Sequence, residues 1–207
     1  MHQLKFIYFD VGGVAILDFS KTNKWDELLN ALNISDNKKD SFTKLFKAHE
    51  KNICKGENIE IFLEEVGKML KIQFPDNYDM TADFVNRFEI NPSMLKLFKK
   101  LRSKFKLGLL TGQYPNMLNL IFERKLLPKS IWDVIIDSSV EGFTKPEPEI
   151  YHLAEKLAGV EPQSILFVDN KAKLLEYPRS RGWRVFEYDP SSPIISTRNL
   201  ENFINKL

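Results

Sequence analysis

Cysteine and histidine are scarce in this chain, and their scarcity excludes several kinds of site. Cys54 is the one cysteine, and there are three histidines among 207 residues. A single cysteine forms neither a disulfide framework nor a cysteine metal cluster, and it is typical of a protein in a reducing compartment. The histidines do not recur at a metal-ligand spacing, which argues against a zinc site. We therefore expect a cytoplasmic protein.

The chain also has no large excess of positive or negative charge, and it has no long apolar run. The 30 Lys and Arg residues nearly balance the 28 Asp and Glu residues, which leaves a net charge of +2. This balance predicts no broad basic surface and therefore no nucleic-acid partner. No apolar run approaches the ~18 residues of a membrane span, and no secretory signal pattern precedes the first apolar segment. We expect no membrane partner.

The segment from Phe6 to Val14 is the most informative part of the sequence. The apolar run Phe6–Phe9 predicts a buried strand that ends at Asp10, and Gly12 and Gly13 allow a sharp turn directly after it. Ligands of open parallel sheets bind beyond the carboxyl ends of the strands. Asp10 is therefore a candidate functional residue, and the alternative is that it only caps the next segment.

The pattern of apolar residues between positions 18 and 90 predicts several helices and no strand. Apolar residues recur there at helical spacing, and a segment of this length is too long for a loop in a compact domain. We therefore predict a helical cap domain over residues 18–90. Its phenylalanines are predicted to form the core of the cap rather than a cofactor site: Phe42, Phe46, Phe62, Phe84 and Phe88.

Strands and helices alternate after Asn91. The predicted strands cover residues 106–111, 132–137, 164–169 and 183–188, with helices between them and a last helix near residues 197–206. Such alternation favours parallel strands joined by right-handed crossovers. We predict an α/β fold, in which residues 1–17 and 91–207 form a doubly wound, Rossmann-like parallel sheet that carries the inserted cap.

Polar residues close three of the predicted strands. Asp10, Thr111 and Asp169 each follow an apolar run, so the sheet brings them to one edge, and Lys145 lies in a loop just before a helix. A carboxylate nucleophile, a hydroxyl donor, a cation and a second carboxylate are what phosphoryl transfer through an aspartyl-phosphate requires. The alternatives are that Thr111 and Asp169 are caps and that Lys145 is a solvated loop charge.

Four short motifs follow one another along the chain: Asp10-Val11-Gly12-Gly13-Val14, Leu109-Leu110-Thr111-Gly112, Lys145-Pro146 and Val168-Asp169-Asn170. In this order they resemble the motifs of the haloacid dehalogenase (HAD) superfamily of hydrolases. The segment from Glu147 to Trp183 is similar in particular to small sugar-phosphatase-like members and to the phosphatase domain of soluble epoxide hydrolase.

The resemblance implies a role for each matching residue. Asp10 would be the nucleophile and a ligand of Mg²⁺, and Lys145 would neutralise both Asp10 and the phosphoryl group. The phosphate would be held by Thr111 and by the backbone amide of Gly112. The metal site would comprise oxygen atoms of Asp10, Gly12, Asp169 and Asn170, and oxygen ligands suit magnesium.

Two positions depart from the pattern that the resemblance implies. Gly12 stands where related phosphatases usually carry an aspartate that serves as general acid and base, and such assistance is worth ~10²–10⁴-fold in rate. This favours a substrate whose leaving group departs easily, such as an anomeric sugar phosphate or an acyl or aryl phosphate, or else a replacement acid from the cap. Asn170 brings no charge to the metal, so we predict weak magnesium affinity. Gly112-Gln113 also stands where an asparagine is common in these relatives, which affects the expected geometry of the phosphate loop.

Three functions are compatible with these residues. The first is a magnesium-dependent phosphatase of small phosphorylated metabolites, acting as a monomer or homodimer. The second is a metal-free dehalogenase-type hydrolase, although the aromatic residue typical of dehalogenases is missing at position 12. The third is a HAD-fold binding protein without catalysis. Charged cap residues are further candidates for the substrate site: His49, Glu50, Lys51 and Lys55.

Overall fold

A computed structural model describes residues 3–207 of the chain. Strands and helices alternate through most of it, and within the described residues no helix is both long and apolar enough to cross a lipid bilayer. The strands are β1 (Phe6–Phe9), β2 (Ile16–Leu17), β3 (Glu89–Ile90), β4 (Lys106–Thr111), β5 (Val134–Asp137), β6 (Ile165–Asp169) and β7 (Arg184–Glu187). The helices are α1 (Lys24–Ala31), α2 (Asp36–Ile53), α3 (Ile59–Leu70), α4 (Met80–Asn86), α5 (Pro92–Leu101), α6 (Met117–Glu123), α7 (Ser138–Glu141), α8 (Pro148–Ala158), α9 (Ala172–Ser180) and α10 (Pro193–Ile204).

The main sheet is parallel, and β1 lies at its centre. The strand order is β5-β4-β1-β6-β7, and every residue of β1 is buried because helices cover both faces. The order reverses at β1, since the chain builds outward through β4 and β5 on one side and through β6 and β7 on the other. The predicted α/β, doubly wound fold is confirmed. A crevice at such a switch point is where ligands bind.

The register of β1 sets the positions of the strand ends. Phe9 is paired with Leu109 of β4 and with Val168 of β6, and the amide of Asp10 donates to the carbonyl of Val168 at 2.9 Å. Asp10 is therefore in register with Asp169, and Thr111 lies one residue further toward the carboxyl edge of the sheet. Three apolar runs thus end within one residue of each other along the sheet axis.

The helices α1–α4 lie between β2 and β3, in the segment predicted as the cap. The prediction that this segment holds no strand was wrong at its end, because β3 pairs antiparallel with β2 through Ile16 with Ile90 and Leu17 with Glu89. A two-residue strand is too short to show alternation, and it forms only where the chain leaves and re-enters the sheet domain. The exact division into core and cap domains stays a prediction.

Aromatic side chains form much of the interior of α1–α4. Phe42 and Phe62 are fully buried with ring centroids 5.6 Å apart, and Trp25 lies 4.9 Å from Phe46. Edge and tilted contacts of this kind add stabilisation beyond burial of their area. The prediction that these phenylalanines build a core agrees with the packing, although some of them also reach a cavity described below.

The side chain of Asn91, at the end of the cap segment, forms hydrogen bonds with the sheet domain. This side chain, 1% exposed, caps α5 by accepting from the amide of Met94 and donates to the carbonyl of Val14 at 2.9 Å and to the Tyr188 hydroxyl at 3.0 Å. Pro92 opens α5, as its fixed φ favours. Three distant segments therefore meet at this one buried amide.

Most predicted strands and helices of the second half agree with the structure to within three residues. The exception is α10, which begins at Pro193, four residues before the predicted start. Proline at the first turn of a helix is favourable because it lacks only an amide that would have no partner there. The short helix α7 was not predicted, since four residues carry no periodic signal.

Candidate active site

The four residues singled out from the sequence meet at the carboxyl edge of the sheet. Asp10, Thr111 and Asp169 follow or end β1, β4 and β6, and the loop before α8 brings Lys145 among them. All four are buried, with exposed fractions of 8%, 0%, 0% and 9% for Asp10, Thr111, Asp169 and Lys145. Buried charges of this kind persist only when they are paired.

One oxygen of Asp10 gathers three donors. Oδ1 accepts from its neighbouring Val11 amide at 2.8 Å and from the Thr111 hydroxyl at 2.9 Å, and it lies 3.0 Å from Nζ of Lys145. These contacts hold the carboxylate in one rotamer. Among the described residues they leave Oδ2 as the oxygen of Asp10 that is available to react.

Lys145 bridges two carboxylates. Its Nζ lies 2.6 Å from Oδ2 of Asp169 as well as 3.0 Å from Oδ1 of Asp10, and it stands over the ring of Phe167. Burial lowers the pKa of Lys145, but the two carboxylates raise it more, so the net shift is upward and the ammonium stays charged. Burial raises the pKa of Asp169, and Lys145 offsets part of that shift.

Gln113 positions the hydroxyl of Thr111. Its Nε2 donates to Thr111 Oγ1 at 2.8 Å, so the hydroxyl hydrogen is free to point at Asp10, and its own amide donates to Ser138 Oγ at 3.1 Å. Gly112 between them lines the cavity. At the departure noted at Gly112-Gln113, the Gln113 side chain is buried and hydrogen-bonded. The sequence predicted no role for the Gln113 side chain in orienting Thr111.

Asp18 lies against Gly12, and sequence reasoning did not single it out. A Cβ on Gly12 would collide with its Oδ2, and its Oδ1 accepts from the amide of Ser20 at 2.8 Å. Burial raises the pKa of Asp18, hydrogen bonds from Ser20 lower it, and the nearby Asp10 raises it further. The group brings a further carboxyl to the cavity that contains Asp10.

Asn170 is held on one side and lacks a partner on the other. Its Nδ2 donates to Ser20 Oγ at 3.0 Å, while its buried Oδ1 has no hydrogen-bond partner among the described residues. Gly13, with φ of 71°, passes directly under this amide, where a Cβ would collide with Nδ2. An unpartnered buried acceptor is costly unless a cation or water satisfies it.

These oxygen atoms fit a hard cation. Asp10 and Asp169 supply carboxylates, Gly12 a carbonyl and Asn170 the unpartnered amide oxygen, which is the ligand chemistry of Mg²⁺. Within residues 3–207, no group of three or more His, Cys, Asp or Glu side chains is arranged to hold a metal ion. A cation here would therefore depend on neutral oxygen ligands for part of its shell.

A cavity of about 730 Å³ opens over Asp10 and extends beneath the cap segment. Of the charged cap residues proposed from the sequence, Glu50 and Lys51 line it, while His49 and Lys55 do not. His49 instead lies 3.3 Å from Glu65, and Lys55 lies 3.2 Å from Glu147. The volume is within the range of small-molecule sites.

Two curated relatives match parts of the chain. Acyl-CoA dehydrogenase family member 10 of Mus musculus is 26% identical over 155 residues, which cover 71% of this chain and 14% of that protein. Phosphatase MT3486 of Mycobacterium tuberculosis is 33% identical over 88 residues, which cover 41% of each protein. The chain thus spans less than half the length of the curated relatives that it matches.

Solved structures with the same fold include metal-bound and dehalogenase examples. A HAD family enzyme of Bacteroides thetaiotaomicron in a magnesium complex has a TM-score of 0.74 at 18% identity, covering 91% of this chain and 95% of its own. The L-2-haloacid dehalogenase RSc1362 has a TM-score of 0.73 at 16% identity, covering 99% and 100%. The haloacid dehalogenase-like hydrolase model matches residues 4–172. The chain therefore belongs to the haloacid dehalogenase-like hydrolase family.

Proposed function

We propose that this hydrolase is a magnesium-dependent phosphatase of small phosphorylated metabolites that acts through an aspartyl-phosphate on Asp10. The observation that carries the proposal is the bridge of Lys145 between Asp10 and Asp169, with Thr111 on the same Asp10 oxygen. A buried nucleophile whose charge is balanced by one cation and oriented by one hydroxyl is suited to attack at phosphorus.

The chain's own groups account for both chemical steps. Oδ2 of Asp10 attacks phosphorus, a new O–P bond forms, and the bond to the ester oxygen breaks. The Lys145 ammonium and the Gly112 amide meet the charge on the phosphoryl oxygens, and the Thr111 hydroxyl joins them by turning its hydrogen from Asp10 to the phosphoryl group. The leaving group departs as an anion and takes its proton from solvent. Water then attacks the acyl phosphate at phosphorus while the bond to Asp10 breaks, and the proton of the water passes to solvent, which releases inorganic phosphate and restores the carboxylate.

Asp10, Asp169, the Gly12 carbonyl and the Oδ1 atom of Asn170 would hold the magnesium ion. When bound, the ion supplies positive charge next to the transferring phosphoryl group. Two carboxylates and two neutral oxygens give a low ligand charge, which supports the expectation of weak affinity.

The glycine at position 12 limits which leaving groups the substrate can carry. Because Gly12 carries no proton donor, we propose substrates whose leaving groups depart readily, such as anomeric sugar, acyl or aryl phosphates. An assay of an aryl phosphate with and without Mg²⁺, alongside Asp10→Asn, tests the function. Metal-dependent turnover that Asp10→Asn abolishes supports the proposal. Turnover that ignores magnesium, or none under any condition, overturns it.

The dehalogenase alternative makes a different prediction in the same experiment. It needs no cation, whereas the buried Oδ1 of Asn170 has no hydrogen-bond partner within residues 3–207 and is placed to accept one. Release of chloride from 2-chloropropionate in the presence of a metal chelator, without phosphatase activity, would favour the dehalogenase. A catalytically inert binding protein would show neither reaction.

A further inference from the structure

Aromatic rings line the part of the active-site cavity that belongs to the cap segment. Phe19, Trp25, Phe46, Phe84 and Phe88 all line it. They form one connected cluster, with ring centroids 5.0 Å apart for Phe19 and Phe84, 6.0 Å for Phe19 and Phe88, and 4.9 Å for Trp25 and Phe46. We call these five residues the aromatic wall.

The aromatic wall keeps exposed ring area. Phe46 and Phe84 are buried, but Phe19, Trp25 and Phe88 are only partly buried even though they pack against the core of the cap. All three line the same cavity as Asp10. Apolar surface that borders a cavity gains free energy when a ligand removes it from water.

Three polar side chains near the wall are paired with other side chains. The Trp25 indole donates to Thr43 Oγ1 at 2.8 Å, and the Tyr114 hydroxyl donates to Glu50 Oε1 at 3.2 Å. Lys51, which also lines the cavity, lies 3.0 Å from Glu147. At these three positions a ligand hydroxyl group would have to break a pair to find a partner, whereas a flat apolar group would leave the pairs intact.

We propose that the substrate is a phosphate monoester whose organic part is an aromatic or similarly flat apolar group, seated against the aromatic wall while its phosphate lies at Asp10. This inference rests on the proposed phosphatase function and narrows its substrate class from sugar, acyl and aryl phosphates to aryl phosphates. The ring of the substrate packs edge-on or offset against Phe19 and Trp25, the geometries that aromatic pairs prefer.

Binding of phosphonates tests the wall independently of turnover. The probes are benzylphosphonate and methylphosphonate, which share the anionic group and differ in the ring, measured by calorimetry on the full chain with Mg²⁺. We expect benzylphosphonate to bind at least roughly tenfold more tightly. Phe19→Leu and Trp25→Leu should each weaken benzylphosphonate roughly three- to tenfold and leave methylphosphonate unchanged.

Phe42→Leu is the matched control. Phe42 packs 6.1 Å from Trp25 inside the cap but does not line the cavity, so the same change lowers the melting temperature without affecting the ring-dependent affinity. Loss of benzylphosphonate binding in Phe42→Leu to the same degree as in Phe19→Leu would show a general effect on the cap and overturn the proposal. Melting curves establish that each variant is folded.

Turnover separates this inference from the proposed function. 4-Nitrophenyl phosphate and acetyl phosphate both have readily departing groups, and only the first carries a ring. A higher kcat/KM for the aryl ester, reduced selectively by Phe19→Leu, supports the inference. Equal kcat/KM values for the two substrates, or equal affinities for the two phosphonates, overturn the inference of an aromatic substrate. Metal-dependent turnover would in that case still support a phosphatase.

Ring-dependent phosphonate binding without any turnover supports an aromatic binding site and overturns the phosphatase function.

Discussion

The carboxylate of Asp18 occupies the space that a side chain on residue 12 would need. A Cβ built on Gly12 would collide with its Oδ2, and its other oxygen accepts from the Ser20 amide at 2.8 Å. With Asp18 in this position, residue 12 has room for a glycine. The glycine that departs from the expected motif thus makes space for a carboxylate six positions later.

Gly12→Asp should destabilise the protein because its side chain collides with Asp18 and sets two carboxylates against each other. We expect a loss of about 1–2 kcal/mol in the free energy of unfolding, or a melting temperature lower by roughly 2–8 °C. The same change in an Asp18→Ala background should cost clearly less. Equal losses in both backgrounds, measured by thermal melting, would show that Asp18 is not the obstacle.

Lys145→Met should remove the cation between two buried carboxylates. We expect the free energy of unfolding to fall by about 3–5 kcal/mol at neutral pH, with part of the loss recovered in acid as a carboxylate is protonated. The kcat of the proposed phosphatase should fall about 10²–10³-fold. The control is Lys104→Met at an exposed position. Denaturant titration and initial rates provide the measurements, and an unchanged stability would contradict the bridge.

Asn170→Asp should strengthen magnesium binding because it adds a third carboxylate to the proposed donor set. We expect the dissociation constant to fall roughly tenfold, and the variant without magnesium to melt at a lower temperature because like charges crowd the site. Asn119→Asp adds the same charge at an exposed position and serves as the control. Calorimetry that shows no gain in affinity for Asn170→Asp would place the cation elsewhere.

Glu147 should make part of the stability depend on pH. Burial raises the pKa of Glu147, but the Thr144 amide and the ammonium groups of Lys51 and Lys55 lower it to about 2 from an ordinary value of 4.5. A depressed carboxyl pKa stabilises the folded state above pH 4.5, and that contribution is lost as the pH falls toward 2. After allowance for solvent screening, we expect about 1 kcal/mol.

Glu147→Gln tests this dependence by thermal melting across the acid range. The variant should melt lower than the wild type at pH 6 and approach it as the pH falls toward 2, because the wild type loses its advantage there. Glu64→Gln is the control, since Glu64 and its partner Lys68 are both exposed. A difference in melting temperature between wild type and Glu147→Gln that stays the same at every pH would contradict the lowered pKa of Glu147.

The strands and their polar ends could be predicted because those signals are local. An apolar run that stops at Asp10, Thr111 or Asp169 is visible in a window of a few residues, and parallel pairing brings such ends together. The contacts of Asp18, Gln113 and Ser20 could not be predicted, because each depends on how a loop folds back over the sheet edge. The β2–β3 pair was missed for the same reason, since its two strands are separated by the whole cap segment.

The buried amide of Asn91 limits how the cap segment can move. It bonds the carbonyl of Val14 on the outgoing chain and the hydroxyl of Tyr188 near the end of the sheet, so both roots of the cap segment are anchored to one rigid point. Beyond that anchor the two-residue ribbon of β2 and β3 connects the helices to the sheet domain. Any displacement of these helices relative to the sheet must start beyond Asn91, and it would change the distance between the aromatic wall and Asp10.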